Sequence, residues 1–356
     1  MLIFVLPFLG VAGFYLLICR FSPSGKKCPV SNEKISCIIA CRNEEHNIGA
    51  LLDDVNVQTH PWHEVIVVDD RSTDGTPLIA LEHGAHVISV DKEEIHDSMP
   101  KAYAQHQGAL YATGTVLVFL DADVRIQSSF LEGIIARLDN NDCVSVQPFH
   151  VCRTFRECMS LFFHVVSIVS SGIFSLVRFR CGIYGPCIVI RRKMYDETGG
   201  FGSPAVRNSI VEDVALDEQL RMHGARVERF VGAGATYSMY DGLADAARGW
   251  HKNIAQGASR VPLVCLAVMV LYLGALIWLP VEIVRNTSGY PILAIALFLF
   301  AWMSLLLVAR KLGTYTLAVC VYPLALVFFF LIFTWSAYSM IFNRPVRWKD
   351  QKIVSS

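Results

Sequence analysis

Residues 116–123 read VLVFLDAD, an uncharged apolar run that ends in two aspartates one residue apart. The run has the length and composition of a buried β-strand. At the end of such a strand, the carboxylates of Asp121 and Asp123 can reach one divalent cation or one sugar ring. Oxygen ligands suit Mg²⁺ or Mn²⁺, so both residues are candidate metal ligands. The competing interpretation is an exposed turn.

Similar strands precede this one and alternate with helical patterns. The predicted strands are 35–40, 64–69, 85–90 and 116–120, and the predicted helices are 48–55, 76–82 and 101–111. Such alternation indicates right-handed β-α-β units and a mostly parallel sheet, so the expected fold class is α/β. Ligands of these sheets bind at the carboxyl ends of the strands.

Polar and acidic residues also follow the first two strands. Residues 41–45 read CRNEE, and residues 69–76 read DDRSTDGT. A carboxylate of Asp69 or Asp70 can accept a hydrogen bond from a nucleobase imide or a ribose hydroxyl. Helix capping is the alternative, because the serine, aspartate and threonine that follow are favourable N-cap residues. Capping accounts for Asp74 but leaves the adjacent pair unexplained.

Two later positions carry charged groups with a candidate chemical role. Lys101 opens a predicted helix, where it is either a partner for a diphosphate or an ordinary surface lysine. Glu212 and Asp213 begin another helix, where two carboxylates can complement the helix dipole. Alternatively, one of them acts as a general base.

A basic and aromatic element, RGWHKN, occupies residues 248–253. Tryptophan and positive charge beside an apolar span are typical of a membrane interface. Arg248 and Trp250 are also candidates for the acceptor or diphosphate side of a site, and the two interpretations are compatible.

Four apolar stretches could enter a bilayer, and they account for the 53% hydrophobic residues and the mean hydropathy of +0.43. They are residues 2–19, 261–281, 291–309 and 312–342. Basic residues flank the domain between the first two: Arg20, Lys26, Lys27, Arg248, Lys252 and Arg260. The positive-inside rule places that domain in the cytoplasm of a multi-pass protein of the cell membrane.

The predicted organisation has four parts. They are a transmembrane anchor at 1–20, a cytoplasmic α/β domain at 31–258, transmembrane helices within 261–342 and a basic tail at 343–356. Residues 158–177 are predicted to form an interfacial or core helix, because a single crossing there would separate the acidic motifs. A straight helix over 312–342 would be about 46 Å long, against a hydrocarbon core of about 30 Å. A short re-entrant piece before Pro323 is therefore expected, and it would return the tail to the cytoplasm.

The charge balance and the cysteine spacing argue against a nucleic-acid-binding protein and against a zinc protein. The 31 basic and 31 acidic residues balance, and no basic stripe with interleaved aromatics indicates nucleic acid. The eleven cysteines lack the spacings of a zinc site, so we expect small buried side chains.

Together these motifs resemble the family-2 glycosyltransferases of GT-A fold. Residues 40–45 are similar to the opening motif, and residues 69–76 depart from the usual DDGSTDGT only at Arg71. The DAD of residues 121–123 matches the metal motif, and Glu212-Asp213 matches the catalytic acidic pair. The similarity runs from about residue 35 to residue 253. Narrower resemblances, at 144–150, 184–186, 199–201, 249–252 and 347–349, indicate the branch that glucosylates a carotenoid acid, with hopanoid-associated and ceramide glycosyltransferases sharing the outline.

The resemblance implies a role for each matching residue. It assigns a nucleotide to Ala40, Arg42, Glu44 and Asp70, a diphosphate to Lys101, a metal to Asp123 and the base to Asp213. Relatives often have glycine before the lysine, where this chain has DSMP at 97–100. Processive synthases carry QxxRW, whereas residues 246–250 read AARGW, so transfer of a single sugar is favoured.

The resemblance thus implies a membrane-bound, inverting, metal-dependent enzyme. It would move one hexose, glucose from UDP-glucose, to a lipid-like acceptor such as a carotenoid acid, a hopanoid or another glycolipid precursor. Two alternatives remain open, a polyprenyl-phosphate sugar synthase and a non-catalytic membrane scaffold with a nucleotide-sugar-binding domain. The retained metal and base carboxylates argue against the scaffold.

Overall fold

We describe the protein from a computed structural model. The structure describes residues 1–18, 33–90, 99–176, 182–240, 242–259, 261–342, 346–348 and 351–353. The basic residues predicted to flank the first span, Arg20, Lys26 and Lys27, lie outside these ranges, as does most of the tail.

The elements follow one another as a mixed series of strands and helices. The strands are β1 (Ile35–Cys41), β2 (Glu64–Asp69), β3 (His86–Ser89), β4 (Val116–Asp121), β5 (Val124–Ile126), β6 (Cys143–His150), β7 (Cys187–Arg191), β8 (Val227–Tyr237), β9 (Val346–Trp348) and β10 (Gln351–Ile353). The helices are α1 (Val5–Ile18), α2 (Ile48–Asn56), α3 (Thr76–Glu82), α4 (Pro100–Tyr111), α5 (Phe130–Leu138), α6 (Leu161–Ser171), α7 (Arg192–Thr198), α8 (Pro204–Arg207), α9 (Glu212–Met222), α10 (Leu243–Ser259), α11 (Leu263–Arg285), α12 (Pro291–Leu312), α13 (Thr316–Cys320) and α14 (Tyr322–Ile341).

These elements divide into two compact units. Among the described residues, the first, which we call the sheet unit, contains 33–150 and 182–239. The second, the helical unit, contains 1–18, 151–176 and the chain from 240 onward to the end of α14.

The first half of the main sheet is parallel. β1 pairs with β2 on one side and β4 on the other, and β3 pairs with β2 at the edge. Both β1 and β4 consist mainly of apolar residues and are almost fully buried, which is typical of parallel strands covered on both faces. The predicted β-α-β beginning of the domain is confirmed.

The second half of the sheet has mixed directions. β7 is antiparallel to both β4 and β6, β8 is parallel to β6, and β5 is antiparallel to β8. The β6–β8 register shifts between Gln147 and Phe149. Pro148 lies at this irregularity, where its missing N–H costs no regular ladder hydrogen bond.

The packing of α4 onto the sheet depends on Gly108. A Cβ at this position would lie 2.5 Å from Ile38 Cγ2 and 2.9 Å from Val68 Cγ2. Real Cβ atoms do not approach so closely, so a glycine allows α4 to lie directly on β1 and β2. The first turn of α4, which carries Lys101, is thereby fixed near the carboxyl edge of the sheet.

In the helical unit, three of the described helices are long and apolar enough to cross a membrane. They are α11, α12 and α14, whereas the apolar helix over Leu2–Ile18 is shorter. The predicted fourth stretch is divided into α13 and α14, with Pro323 in the first turn of α14. Proline is tolerated there because its missing N–H would have no partner within the helix. A separate short piece before Pro323 agrees with the expectation, and its position in a bilayer stays a prediction.

Helix α1 packs closely along α11. A Cβ on Gly10 would lie 2.5 Å from the carbonyl carbon of Leu271, and the rings of Phe14 and Tyr272 stack at 3.7 Å between centroids. Small residues that permit such close helix approach are typical of membrane helix pairs.

The apolar segment 158–177 forms a 3-10 turn at Glu157–Ser160 followed by α6. The 11 residues of α6 are too few to span a bilayer. Its neighbours include α10, α12 and α14, so it belongs to the helical unit rather than to the sheet unit. Residues 151–176 lie within the range 31–258 but group with the helical unit by their contacts, and the bounds of the catalytic domain stay a prediction.

Candidate active site

The strand-end residues predicted from the sequence lie at one edge of the sheet. Register pairs Ala40 with Asp121 and Cys41 with Asp69. Because the three parallel strands end together, the loops after β1, β2 and β4 share one surface. This edge is the candidate active site.

The loops after β1 and β2 are joined by cross-loop hydrogen bonds. The backbone N–H of Asn43 donates to Ser72 Oγ at 2.9 Å, and that of Glu44 donates to Thr76 Oγ1 at 2.8 Å. In the other direction, the N–H of Gly75 donates to Glu45 Oε2 at 2.9 Å. Such reciprocal bonds hold the two loops as one rigid surface.

The two aspartates after β2 have different surroundings. Asp69 accepts long hydrogen bonds of 3.3 Å from the N–H of Ser72, so it supports its own loop. Asp70 faces two guanidinium groups, with Arg71 Nη2 at 2.7 Å and Arg42 Nη1 at 3.7 Å from its oxygens. Asp74 lies one residue before Gly75, the N-cap residue of α3, and its Oδ1 accepts from the N–H of Thr76, the first residue of that helix, at 3.0 Å.

Lys101 lies between two carboxylates. Its ammonium is 2.7 Å from Asp121 Oδ1, 2.9 Å from Asp121 Oδ2 and 3.7 Å from Glu212 Oε1. Burial alone would lower the pKa of Lys101, but the charges of these carboxylates outweigh it and raise the pKa above its ordinary value. The side chain is therefore a fixed cation at the sheet edge, available to an anionic ligand.

Asp123 stands in the turn between β4 and β5. Burial, followed by the nearby charges of Asp121 and Glu44, raises its pKa to about 7. Such a concentration of negative charge is the environment that a bound cation relieves.

The donor set fits Mg²⁺ or Mn²⁺ held by few protein ligands. Asp121 and Asp123 supply hard carboxylate oxygens, and Asp121 is already paired with Lys101. No three His, Cys, Asp or Glu side chains converge in a metal-binding group within the described ranges. An ion here would take its remaining ligands from substrate oxygens and water, as Mg²⁺ commonly does.

Asp213 lies in the first turn of α9, next to Glu212. Its Oδ2 accepts from the N–H of Gly185 at 3.1 Å, and its Oδ1 accepts from the N–H of Val214 at 2.8 Å. Burial and then the charge of Glu212 raise the pKa of Asp213 to about 6, although Lys101 and the two N–H groups oppose the rise. The helix-dipole interpretation and a role as base are both compatible with this geometry.

Residues that the sequence did not single out hold α9 in place. Asp217 is fully buried and forms an ion pair with Arg229 of β8. Asp217 Oδ2 also accepts from the N–H of Gly182 at 3.0 Å, and Arg229 Nε donates to the carbonyl of Gly182 at 2.7 Å. An acidic residue one helical turn after Asp213 was the only sequence signal for this support.

Two further contacts fix the segment that carries Gly185. Ser145 Oγ accepts from the N–H of Tyr184 at 2.6 Å, and the carbonyl of Pro186 accepts from the N–H of Asp121 at 3.0 Å. The segment therefore ties β6 to the end of β4 and brings the N–H of Gly185 to Asp213.

Arg248 and Trp250 lie in α10 of the helical unit. Trp250 stacks on Phe163 at 4.8 Å between centroids, and its Nε1 donates to Ser160 Oγ at 3.1 Å. Arg248 is exposed, with Nη2 3.4 Å from Asp245 Oδ1. Their assignment to the acceptor or diphosphate side stays a prediction.

Comparison with known proteins agrees with the motifs. The model of the glycosyl transferase family 2 matches residues 36–199. Over 279 residues the chain is 32% identical to 4,4'-diaponeurosporenoate glycosyltransferase of Staphylococcus haemolyticus, which covers 76% of this chain and 71% of the relative. A protein of the same name from Staphylococcus aureus is 28% identical over 348 residues, which covers 94% of this chain and 92% of the relative.

A solved structure shares the fold. The mannosyltransferase PcManGT from Pyrobaculum calidifontis, in complex with GDP-Man and Mn²⁺, matches with a TM-score of 0.55 and 18% identity over 96% of this chain and 95% of its own. The predicted α/β, GT-A-type fold is thereby confirmed. With its family-specific motifs at one sheet edge and relatives along most of its length, the chain belongs to the family-2 glycosyltransferases.

Proposed function

We propose that this glycosyltransferase moves a single hexose, glucose from UDP-glucose, to a lipid-like acceptor at the cell membrane. The observation that carries the proposal is the cluster of Lys101, Asp121, Asp123 and the pair Glu212-Asp213 at one sheet edge. Three membrane-length helices in the same chain favour a lipid acceptor. The names of the relatives favour a carotenoid acid as that acceptor.

The donor nucleotide is assigned to the joined loops after β1 and β2. Ala40, Arg42 and Glu44 come from the first loop, and Asp70 comes from the second. Asp69 serves this site by supporting the loop, since it accepts from the N–H of Ser72. Because hydrogen bonds already join the two loops, the loops would not have to become ordered when the nucleotide binds.

The diphosphate is assigned to Lys101 and a divalent cation. Asp123, with Asp121, would hold Mg²⁺ or Mn²⁺, which would offset negative charge on the departing diphosphate. Lys101 adds a fixed positive charge beside the same oxygens. Its carboxylate partners keep it ionised across the physiological pH range.

The acceptor is assigned to the Asp213 side. A hydroxyl acceptor must lose its proton as the glycosidic bond forms, and Asp213 would remove it during an in-line displacement with inversion. The N–H of Gly185 orients the carboxylate for this step. A carboxylic acid is already ionised near neutral pH, so for such an acceptor Asp213 would act in positioning alone.

A product assay tests the proposal. Membranes that contain the protein are incubated with labelled UDP- and GDP-sugars and with acceptors of three classes: a carotenoid acid, a neutral hydroxyl lipid and a polyprenyl phosphate. We expect label from the UDP-hexose on the carotenoid acid or the hydroxyl lipid. Label on polyprenyl phosphate alone would replace the proposal with a polyprenyl-phosphate sugar synthase, and no labelled lipid under any condition would support a scaffold.

A further inference from the structure

Arg71 occupies one oxygen of the Asp70 carboxylate. Arg71 Nε lies 2.8 Å from Oδ1, and Arg71 Nη2 lies 2.7 Å from the same atom. Arg42 Nη1 lies 3.7 Å from Oδ2, which is beyond hydrogen-bond distance. Among the described residues, no hydrogen bond to Oδ2 is present, so Asp70 offers a ligand one carboxylate oxygen rather than two.

The backbone conformation at Arg71 is one that glycine adopts more easily than arginine does. Its φ is +58°, in the left-handed region where non-glycine residues are uncommon. Cross-loop bonds hold it there, since the next residue, Ser72, accepts from Asn43 and donates its N–H to Asp69. An arginine in this conformation carries a local backbone cost.

Hydrogen-bonding edges of nucleobases differ in how many donors they present. Uracil presents one N–H between two carbonyl groups. Guanine presents two neighbouring donors, a ring N–H and an amino group, which match a carboxylate with both oxygens available. When Oδ1 is already taken, one guanine donor is left without an acceptor in a site where Asp70 is only 8% exposed at its side chain.

We propose that Arg71 determines nucleotide specificity by limiting Asp70 to a single hydrogen bond, which favours a uracil-like edge over guanine. The inference rests on the proposed function, which assigns the nucleotide to Asp70. An unpaired buried donor lowers affinity by about tenfold to a hundredfold, which sets the size of the discrimination. Arg71 acts through Asp70 and is therefore a positioning residue.

Nucleotide binding to the full-length, purified protein tests this. Dissociation constants for UDP and GDP are measured by calorimetry in detergent with Mn²⁺, for the wild type and for Arg71→Gly. We expect the wild type to bind UDP at least about tenfold more tightly than GDP. In Arg71→Gly the ratio should approach one, mainly because GDP binds more tightly once both Asp70 oxygens are available.

Two variants separate the role of the side chain from that of the loop. Asn43→Gly relaxes the other left-handed non-glycine residue of the joined loops, where φ is +52°, and removes the side-chain acceptor of the Thr73 N–H, but it changes neither Arg71 nor Asp70. Its UDP-to-GDP ratio should equal that of the wild type. Arg71→Lys keeps a cation that can reach Oδ1, so it should retain part of the preference. In turnover assays, Arg71→Gly should change KM for the nucleotide sugar and leave kcat within about twofold.

The outcomes also separate this inference from the proposed function. Equal or tighter binding of GDP by the wild type, or an unchanged ratio in Arg71→Gly, would overturn the role of Arg71. Asp70→Asn tests the site itself and should weaken UDP binding. If Asp70→Asn leaves both affinities unchanged, the nucleotide does not reach Asp70, and the proposed donor site is wrong as well.

Discussion

At the scale of single residues, Asp213 shows how opposing effects set the strength of a base. Two backbone N–H groups and the nearby Lys101 favour its ionised form, whereas burial and Glu212 disfavour it. Burial and the neighbouring carboxylate prevail, and the pKa rises to about 6. A carboxylate with a pKa this close to neutrality is ionised at pH 7 yet a better proton acceptor than an ordinary aspartate.

Asp213→Asn should lower turnover on a hydroxyl acceptor by at least about a hundredfold, because a placed base contributes roughly 10²–10⁴ in rate. Donor binding should survive, since the substitution keeps size and shape. A carboxylate acceptor should show a much smaller loss. The measurement is turnover with each acceptor class, alongside nucleotide-sugar affinity. Near-normal rates on a verified hydroxyl acceptor would exclude Asp213 as the base, and Glu212 would be tested next.

The dependence of turnover on pH should also show that Asp213 acts as the base. The base must be deprotonated to act, so activity on a hydroxyl acceptor should rise as pH increases through about 6. It should fall roughly tenfold for each pH unit well below that value. Assays at saturating Mn²⁺ keep proton competition at Asp123 from adding to the profile. In Asp213→Asn, the residual activity should no longer fall with decreasing pH in this range. An unchanged fall in the variant would mean that another group titrates there.

Asp123→Ala should lower turnover by at least about a hundredfold while expression and membrane insertion are retained. The reason is that Asp123 lies in a concentration of negative charge with Asp121 and Glu44, which a cation would neutralise. Excess chelator should silence the wild type, and Mg²⁺ or Mn²⁺ should restore it. Asp139→Ala, at an exposed position, is the matched control. Full activity in excess chelator would remove the metal from the proposal.

The carboxylates of the candidate active site could be predicted from the sequence, whereas most of their hydrogen-bond and ion-pair partners could not. Asp121, Asp123 and Asp213 were identified because they follow apolar strands or begin a helix. The N–H of Gly185 and the side chain of Arg229 could not be identified, since their contacts with Asp213 and Asp217 depend on how distant segments pack. Local pattern carries no information about such pairs.

At the scale of elements, the position of α9 depends on one buried ion pair. Asp217 faces Arg229 and the N–H of Gly182, so it joins α9 to β8 and to the chain before Gly185. Asp213 lies one turn earlier on the same helix. The geometry of the proposed base is therefore set by a residue that does not reach the substrate.

Asp217→Asn should destabilise the protein by about 3–5 kcal/mol, because it leaves the guanidinium of Arg229 buried without its counter-charge. We expect the thermal midpoint in detergent to fall by roughly 10 °C. Glu218→Gln, at the next and exposed position of the helix, should leave the midpoint within about 1 °C. Equal thermal midpoints for the wild type and Asp217→Asn would show that the Asp217–Arg229 ion pair contributes little to the stability of the fold.

The first four strands and the helices between them were predicted to within about a residue at most ends. Their alternation of apolar strands and amphipathic helices is repeated and clear. The strands from β5 onward were not predicted, because short apolar runs such as that of β7 fit a strand or a buried helix equally well. The irregular pairing at Pro148 weakens the period-two pattern further.

At the scale of the whole molecule, the fold class and family were predictable, but the grouping of segments was not. Residues 151–176 and 240–259 adjoin the α/β sequence on either side, yet they pack with the apolar helices. Composition alone cannot distinguish an apolar segment that covers a sheet from one that packs among other apolar helices. The tertiary contacts of α6 and α10 decide this.

Topology gives the last prediction. By the positive-inside rule, the domain between the first two spans should be cytoplasmic. Two single-cysteine variants report on the chain before and after α11: Glu82→Cys, exposed on α3 of the sheet unit, and Asn286→Cys, exposed between α11 and α12. In intact cells, an impermeant thiol reagent should label Asn286→Cys and leave Glu82→Cys unlabelled. After permeabilisation it should label both.

The pair is informative because each variant is the control of the other. A helix of 23 residues that crosses the bilayer once must place its two ends on opposite sides. The background should lack all eleven natural cysteines, among them the exposed Cys320 and the half-buried Cys152, so that only the introduced thiol reacts. Labelling of Glu82→Cys alone in intact cells would reverse the orientation and separate the active site from cytoplasmic nucleotide sugars. Equal labelling of both variants in intact cells would place the two positions on the same side and would contradict a single membrane crossing between them.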